Sequence, residues 1–255
     1  MPMKIIGVIS TMLNEIFIKK NYDAVLNYRN FCPGAIFNTV KSDHIIYFLK
    51  FAPLNILSYF VANINPNCVL DATDSGDIIH YICSYASYPE IIDLILKKYP
   101  RLINSANNII ESTPLIDVCA NANVNHTDLP IRLVDMNANV NYCDISGKTP
   151  LHYLCKTSNF SSIIYLIESG ANIHAKDINH NLPLHYAAAH SSLEVINYLV
   201  SYGCDLYEKN NRCFNAHSIM MFRDNRPEGT KYDGYTLSFA EFFRNKRRKI
   251  NNIIY

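Results

Sequence analysis

The chain has 255 residues, of which 49% are hydrophobic and 18% charged. That is enough for one large domain, two small ones or an array of repeats, and it excludes disorder and fibre. Lys plus Arg total 23 and Asp plus Glu total 22, a net charge of +1, so the molecule lacks the long-range field of a general nucleic-acid or membrane-surface binder.

In chain order, residues 1–36 carry two short helical patterns, around Ile9 to Lys19 and Tyr22 to Arg29, that read as an N-terminal cap. The apolar stretch Ile5 to Leu13 is followed by Asn14, Glu15, Lys19 and Lys20 without a small-x-small cleavage site, so no secretory leader is expected. The apolar stretch Ile45 to Ile64 is interrupted by Lys50, Pro53 and Asn55. Two packed helices turning at Pro53 suit it better than a membrane span.

From there the sequence repeats itself. Gly147-Lys148-Thr149-Pro150-Leu151-His152-Tyr153 is answered 33 residues later by His180-Asn181-Leu182-Pro183-Leu184-His185-Tyr186. Earlier echoes at Thr113-Pro114-Leu115-Ile116, Asp77-Ile78-Ile79-His80 and Lys41-Ser42-Asp43-His44 step back by 36. A fixed period of this length marks stacked supersecondary units. The units are placed at 37–72, 73–108, 109–142, 143–175 and 176–208, with a truncated unit and a C-terminal capping segment over 209–255.

Each unit reads as a helix pair. Helix A opens at a Thr-Pro step, with Thr149 as N-cap and Pro150 at the first helical position, where a missing N–H costs nothing. Helix B carries the apolar stripe Ile163, Leu166, Ile167, repeated as Ile196, Leu199, Val200. Asn137, Gly170 and Gly203 fall just past the stripe, where a helix commonly ends on a left-handed residue. In the last unit, Asn215-Ala216-His217-Ser218 takes the Thr-Pro-Leu-His register, but Pro227 and Gly229 intervene before a second helix.

The period and the Thr-Pro-Leu-His residues resemble the ankyrin repeat, strongly over Asp144 to Ile173 and Asp177 to Leu206, and more weakly toward the N-terminus. The resemblance implies an all-α solenoid of helix-turn-helix repeats with β-hairpin fingers, capped by degenerate repeats at both ends. It further implies a concave groove, lined by finger tips and helix A, that grips partner proteins.

Metal and catalytic alternatives meet geometric obstacles. Cys83, Cys119, Cys155 and Ala188 share one slot, but packed helices lie about 8–10 Å apart. Zinc requires ligands at about 2.0–2.3 Å around one point, so the column reads as small packing residues and the eight cysteines as reduced intracellular thiols. The same spacing disposes of a His44, His80, His152, His185 metal column. In the family these histidines would instead hydrogen-bond backbone across repeat junctions. Phosphate-loop, dinucleotide, zinc-protease and nucleophile-elbow motifs are missing from the sequence, so the chain is expected to work without catalysis, cofactor or metal.

The candidate contact residues are Tyr142, Ile145 and Lys148 in one finger, then Lys176, Ile178, Asn179 and Asn181, then Lys209, Arg212 and Phe214, with Lys156 and His190 on helix A. Ile145, Ile178 and Phe214 stand out because a turn tip has no folding need for large apolar groups, and an apolar row rimmed by Lys and Asn suits a protein contact.

Toward the C-terminus, Leu237 to Phe243 reads as a last apolar helix, followed by the basic cluster Arg244, Lys246, Arg247, Arg248 and Lys249. Such a density can mark nuclear import or a nucleic-acid patch, which gives an alternative reading as a nuclear or nucleic-acid-associated regulator. The first expectation is a monomeric, cytoplasmic protein-binding module, with a protein partner, no membrane and no nucleic acid. Abundant Asn, Ile, Lys and Tyr point to an AT-rich genome, viral or protist.

Overall fold

The computed structural model describes residues 52–55, 57–58, 78–85, 88, 90–121, 128–157 and 159–224. The expected N-terminal cap, nearly all of the unit at 37–72, the C-terminal helix and the cluster Arg244 to Lys249 lie outside them. The described helices are α1 (Ile78–Tyr85), α2 (Glu90–Lys98), α3 (Pro114–Ala120), α4 (Leu129–Asp135), α5 (Pro150–Thr157), α6 (Phe160–Glu168), α7 (Pro183–His190), α8 (Leu193–Ser201) and α9 (Ala216–Asp224). A short 3₁₀ turn, Pro100–Asn104, follows α2. No strand is formed among the described residues, and the fold is an all-α solenoid.

The odd-numbered helices are the A helices and stack in sequence, α1 on α3, α3 on α5, α5 on α7 and α7 on α9, while among the B helices α4 packs on α6. The reason lies in the stripes. Ile163 and Leu166 of α6 and Val195, Ile196 and Leu199 of α8 have no exposed surface, and they meet Leu151, Leu154 and Cys155 of α5 and Leu184, Ala187 and Ala188 of α7 in one continuous core. A single pair could not cover such a stripe, so each unit depends on its neighbours. The Cys column is part of this interior, with Cys83, Cys119 and Cys155 all buried. Burial pushes the Cys155 thiol up, which leaves it a packing group.

The ends of the B helices follow the expected chemistry. Asn137, Gly170 and Gly203 adopt φ of 67°, 89° and 108°. At Gly170 the N–H donates to the Ile167 carbonyl at 3.0 Å and the Ala171 N–H to the Leu166 carbonyl at 2.9 Å, the paired bonds that close a helix through a left-handed residue. Asparagine side chains then stitch loop to loop. Asn104 Oδ1 accepts from Asn139 N–H at 2.8 Å, and Asn141 Oδ1 accepts from Asn172 N–H at 2.7 Å.

Pro114, Pro150 and Pro183 each begin an A helix. At the start of α9 the Asn215 carboxamide accepts from Ser218 N–H at 2.8 Å while the Ser218 hydroxyl accepts from Asn215 N–H at 3.1 Å, a reciprocal cap. The last unit thus forms its A helix, and the continuation beyond Asp224 is outside the described residues.

The junction histidines behave unevenly. The Nδ1 atoms of His152 and His185 accept from the N–H groups of Thr149 and Leu182 at 3.0 and 3.1 Å. The proton therefore sits on Nε2, which donates across the junction to the Asn181 carbonyl at 3.1 Å and the Phe214 carbonyl at 3.3 Å. His80 departs from the expectation. Its Nδ1 pairs at 2.5 Å with the Asp117 carboxylate of the next A helix, which Ser112 also contacts at 2.6 Å, so a side-chain network replaces the bond to a finger carbonyl.

Burial, which disfavours the charged ring, lowers the pKa of both His152 and His185 from the ordinary 6.5, and the Nδ1 that a second proton would need is filled by a backbone N–H. The unfolded chain therefore binds these protons more readily than the folded one. Their contribution to stability is complete above about pH 6.5 and falls as the pH drops from there through the lowered folded values. Thermal melts from pH 7.5 to 5 are expected to show a falling Tm, and the fall shrinks in a His152→Gln, His185→Gln variant.

Candidate functional site

The segments before α3, α5, α7 and α9 are tight fingers built on one side chain each. Asp144 Oδ1 accepts from the N–H groups of Ser146 and Lys148 at 2.8 and 2.9 Å, and Asp177 Oδ1 accepts from those of Asn179 and Asn181, both at 2.8 Å. Asn107 and Asn210 do the same in the flanking fingers, accepting from Ile109 and Ile110 at 3.1 and 2.8 Å and from Arg212 and Phe214, both at 3.0 Å. Short polar side chains that cap their own turn are the chemistry such a loop requires.

Each finger also turns through one left-handed residue, at Glu111, Gly147, His180 and Cys213. Among the described glycines, Gly147 is the one where the residue type matters most. Its φ is 73°, and an added Cβ would meet Asp177 Cα and Ile178 N of the next finger at 3.2 Å. Gly147→Ala is expected to cost about 1–2 kcal/mol from the left-handed backbone, with crowding added. Gly170→Asn, with nothing within 4 Å, is expected to stay within about 0.5 kcal/mol, since Asn137 holds that slot already. Denaturant melts of the two variants check the difference.

Neighbouring fingers are joined through their backbones. Ile145 N–H donates to the Ile110 carbonyl at 2.9 Å, Ile178 N–H to the Ser146 carbonyl at 3.0 Å, and Asn211 N–H to the Asn179 carbonyl at 3.1 Å. This register fixes which side chains align. Ile145 and Ile178 stand in one column, 60% and 64% exposed, and the next member is Asn211. Phe214 lies instead at the finger exit, in the slot of Lys148 and Asn181, and its ring meets Phe222 of α9 at 6.0 Å edge to face. The N-terminal finger adds exposed Ile109 and Ile110, which were overlooked because the Asn107 anchor was not recognised.

Behind the tips lies a band of aromatic and charged groups. The hydroxyls of Tyr153 and Tyr186 donate to the carboxylates of Asp144 and Asp177 at 2.5 and 2.7 Å. Burial and these carboxylates push both phenols up. Burial alone would raise the Asp177 carboxyl, but the bonds from Asn181, Tyr186 and Asn179 outweigh it, and its pKa is lowered. Lys148 Nζ sits over the Tyr153 and Tyr186 rings at 5.7 and 5.6 Å, a favourable cation–π placement.

The other candidates fall into two groups. Asn181 is committed to the fold, its Nδ2 donating to Asp177 at 3.0 Å and its Oδ1 accepting from Asn210 at 2.7 Å. Lys176 pairs with Glu208 at 2.9 Å. Asn179, Lys209 and Arg212 are exposed on the fingers, Tyr142 is half-buried at the finger base, and Lys156 and His190 are exposed at the ends of α5 and α7. His190 has its pKa lowered by burial and then by Lys156 and Arg223. Arg223 of α9, 33 residues after His190, lies at the same edge, its Nη1 donating to the Ser191 carbonyl at 2.8 Å.

A stack of helix pairs with linked fingers and a lined inner face is the architecture of a repeat-type binding protein. Family-model comparison matches the chain to "Ankyrin repeats (3 copies)" over residues 79–177 and 118–210, together more than half of it, and the protein belongs to the ankyrin-repeat family. Ankyrin repeats are protein–protein interaction modules in general. A comparison with curated proteins gives no match. Among the described residues no helix is long and apolar enough to cross a membrane, and no group of three or more His, Cys, Asp or Glu side chains is arranged to hold a metal ion.

Proposed function

We propose that this chain is a non-catalytic adaptor that grips a protein partner with the finger row and the inner face of the A helices. The observation that carries this reading is the pair Ile145 and Ile178, each more than half exposed on adjacent fingers whose backbones are hydrogen-bonded to each other. Folding gives no reason to place large apolar groups there, while a partner that removes them from water gains about 1.5–3 kcal/mol for each one fully covered. The fingers are held by backbone and Asx bonds, so little ordering is required on binding. Around the pair, Tyr142, Lys148, Asn179, Lys209 and Arg212 form a polar rim, with Lys156 and His190 on the helical side.

The test is affinity capture from a lysate of the native cells with the intact protein beside an Ile145→Asp, Ile178→Asp variant. Groove-dependent partners are expected to fall at least tenfold with helicity by circular dichroism unchanged. Equal capture by both proteins places the contact elsewhere.

A further inference from the structure

We propose that the finger row is also a contact between two copies of this chain, packed antiparallel about a two-fold axis through Ile145. No foreign partner is needed, so the inference stands apart from the groove reading while using the same surface. The first support is the backbone register. The N–H groups of Ile145, Ile178 and Asn211 donate to the carbonyls of Ile110, Ser146 and Asn179 on the preceding fingers. The residues just before those acceptors, Ile109, Ile145 and Ile178, therefore share one column, which ends at Asn211. Two residues on from each of these four, Glu111, Gly147, His180 and Cys213 all take the left-handed conformation, so the same register holds in a second slot. The three isoleucines are 59%, 60% and 64% exposed, an apolar strip centred on Ile145.

The second support is charge complementarity, which selects the occupant. In the left-handed slot, exposed Glu111 and His180 flank Gly147, one finger to either side. Neither side chain forms a hydrogen bond or ion pair with another described residue. An axis at the middle finger sets Ile109 against Ile178 of the second copy, Ile145 against its own counterpart, and Glu111 against His180 at both ends. The imidazole donates an N–H to a carboxylate in either charge state of the ring. Parallel packing would set Glu111 against Glu111 instead. The two steps, from the first finger to the second and from the second to the third, are each tied by one backbone bond, of 2.9 and 3.0 Å, as the symmetry requires. Lys148, the charge nearest the axis, is turned onto its own Tyr153 and Tyr186 rings. Such a contact is isologous and closes at the dimer. Two steps of about 8–10 Å make it small, so the dimer is weak and reversible, and the exposed Glu–His pairs set its orientation more than its strength.

The experiment is sedimentation equilibrium of the full chain over about three decades of concentration, with reductant present so that exposed Cys143 and Cys213 form no disulfide. A reversible monomer–dimer equilibrium is expected. Ile145→Asp, which brings two carboxylates to the axis, weakens it about tenfold or more, and so do Glu111→Lys and His180→Glu, each alone. An equimolar mixture of the Glu111→Lys and His180→Glu chains regains the parent affinity as a heterodimer, because each introduced lysine then meets an introduced glutamate and each remaining His180 meets a Glu111. Circular dichroism verifies that the variants fold. A monomer at every concentration, assembly beyond the dimer, a dimer indifferent to these substitutions, or a mixture no tighter than either variant alone overturns the proposal. None of these results touches the capture of a foreign partner, which has its own test above.

Discussion

Leu166→Ala is expected to lower the stability of the protein by about 2–5 kcal/mol, the usual cost of deleting a leucine side chain from a site that cannot collapse. Leu166 has no exposed surface and lies in α6, which packs against α4 of the preceding unit and α5 of its own. Its carbonyl also accepts the Ala171 N–H that closes the helix, so the chain path around it is pinned. In a linear stack, stability is roughly a sum of unit terms and nearest-neighbour interfaces. A cavity in this middle unit therefore weakens two junctions, and urea unfolding is expected to broaden or split as the two halves uncouple. Glu168→Ala, on the exposed side of the same helix, should shift the midpoint by no more than about 0.5 kcal/mol.

Asp177→Ala is expected to cost about 3 kcal/mol, because four donors lose one carboxylate and hydrogen bonds to charged groups contribute about 1.5–3 kcal/mol each before relaxation. Those donors are the N–H groups of Asn179 and Asn181, the Asn181 amide and the Tyr186 hydroxyl. The finger that carries Ile178 then loses its inner brace, so partner binding should fall together with stability. Asp177→Asn is the informative companion. Asn210 holds the next finger with its carboxamide oxygen alone, so Asn should keep the turn and cost about 1 kcal/mol. The lowered Asp177 pKa has its own signature. A depressed carboxyl contributes stability that is complete above its unfolded value, here 3.8, and is lost as the pH falls through the folded one. Acid melts below pH 4 should separate the parent from the Asn variant.

The period, the helix starts and the left-handed stops were legible in the sequence because each rests on one residue type with one conformational reason. Pro114, Pro150 and Pro183 can only begin a helix in this setting, and Asn137, Gly170 and Gly203 tolerate positive φ. The finger geometry was half visible. Gly147 announces its turn, whereas Glu111, His180 and Cys213 take the same left-handed slot without a glycine, in turns held by the Asx bonds of Asn107, Asp177 and Asn210 three or four residues earlier. The anchors Asp144, Asp177 and Asn210 do recur at 33 residues, with Asn107 one residue off the 36-residue step before them, and that was the readable clue. It would have put Asn211, not Phe214, in the column of Ile145 and Ile178. His80 was misjudged because its neighbour Asp117 sits 37 residues away, and a private partner of that kind leaves no trace in a repeat pattern.

In the proposed mode of binding, the finger row and not the helix B side meets the partner. Photo-crosslinking from a benzophenone amino acid placed at Ile178 or at Glu168, in a lysate of the native cells, tests it most directly. Adducts to one partner protein from position 178 with none from 168 are the expected result, and adducts from 168 with none from 178 would contradict it.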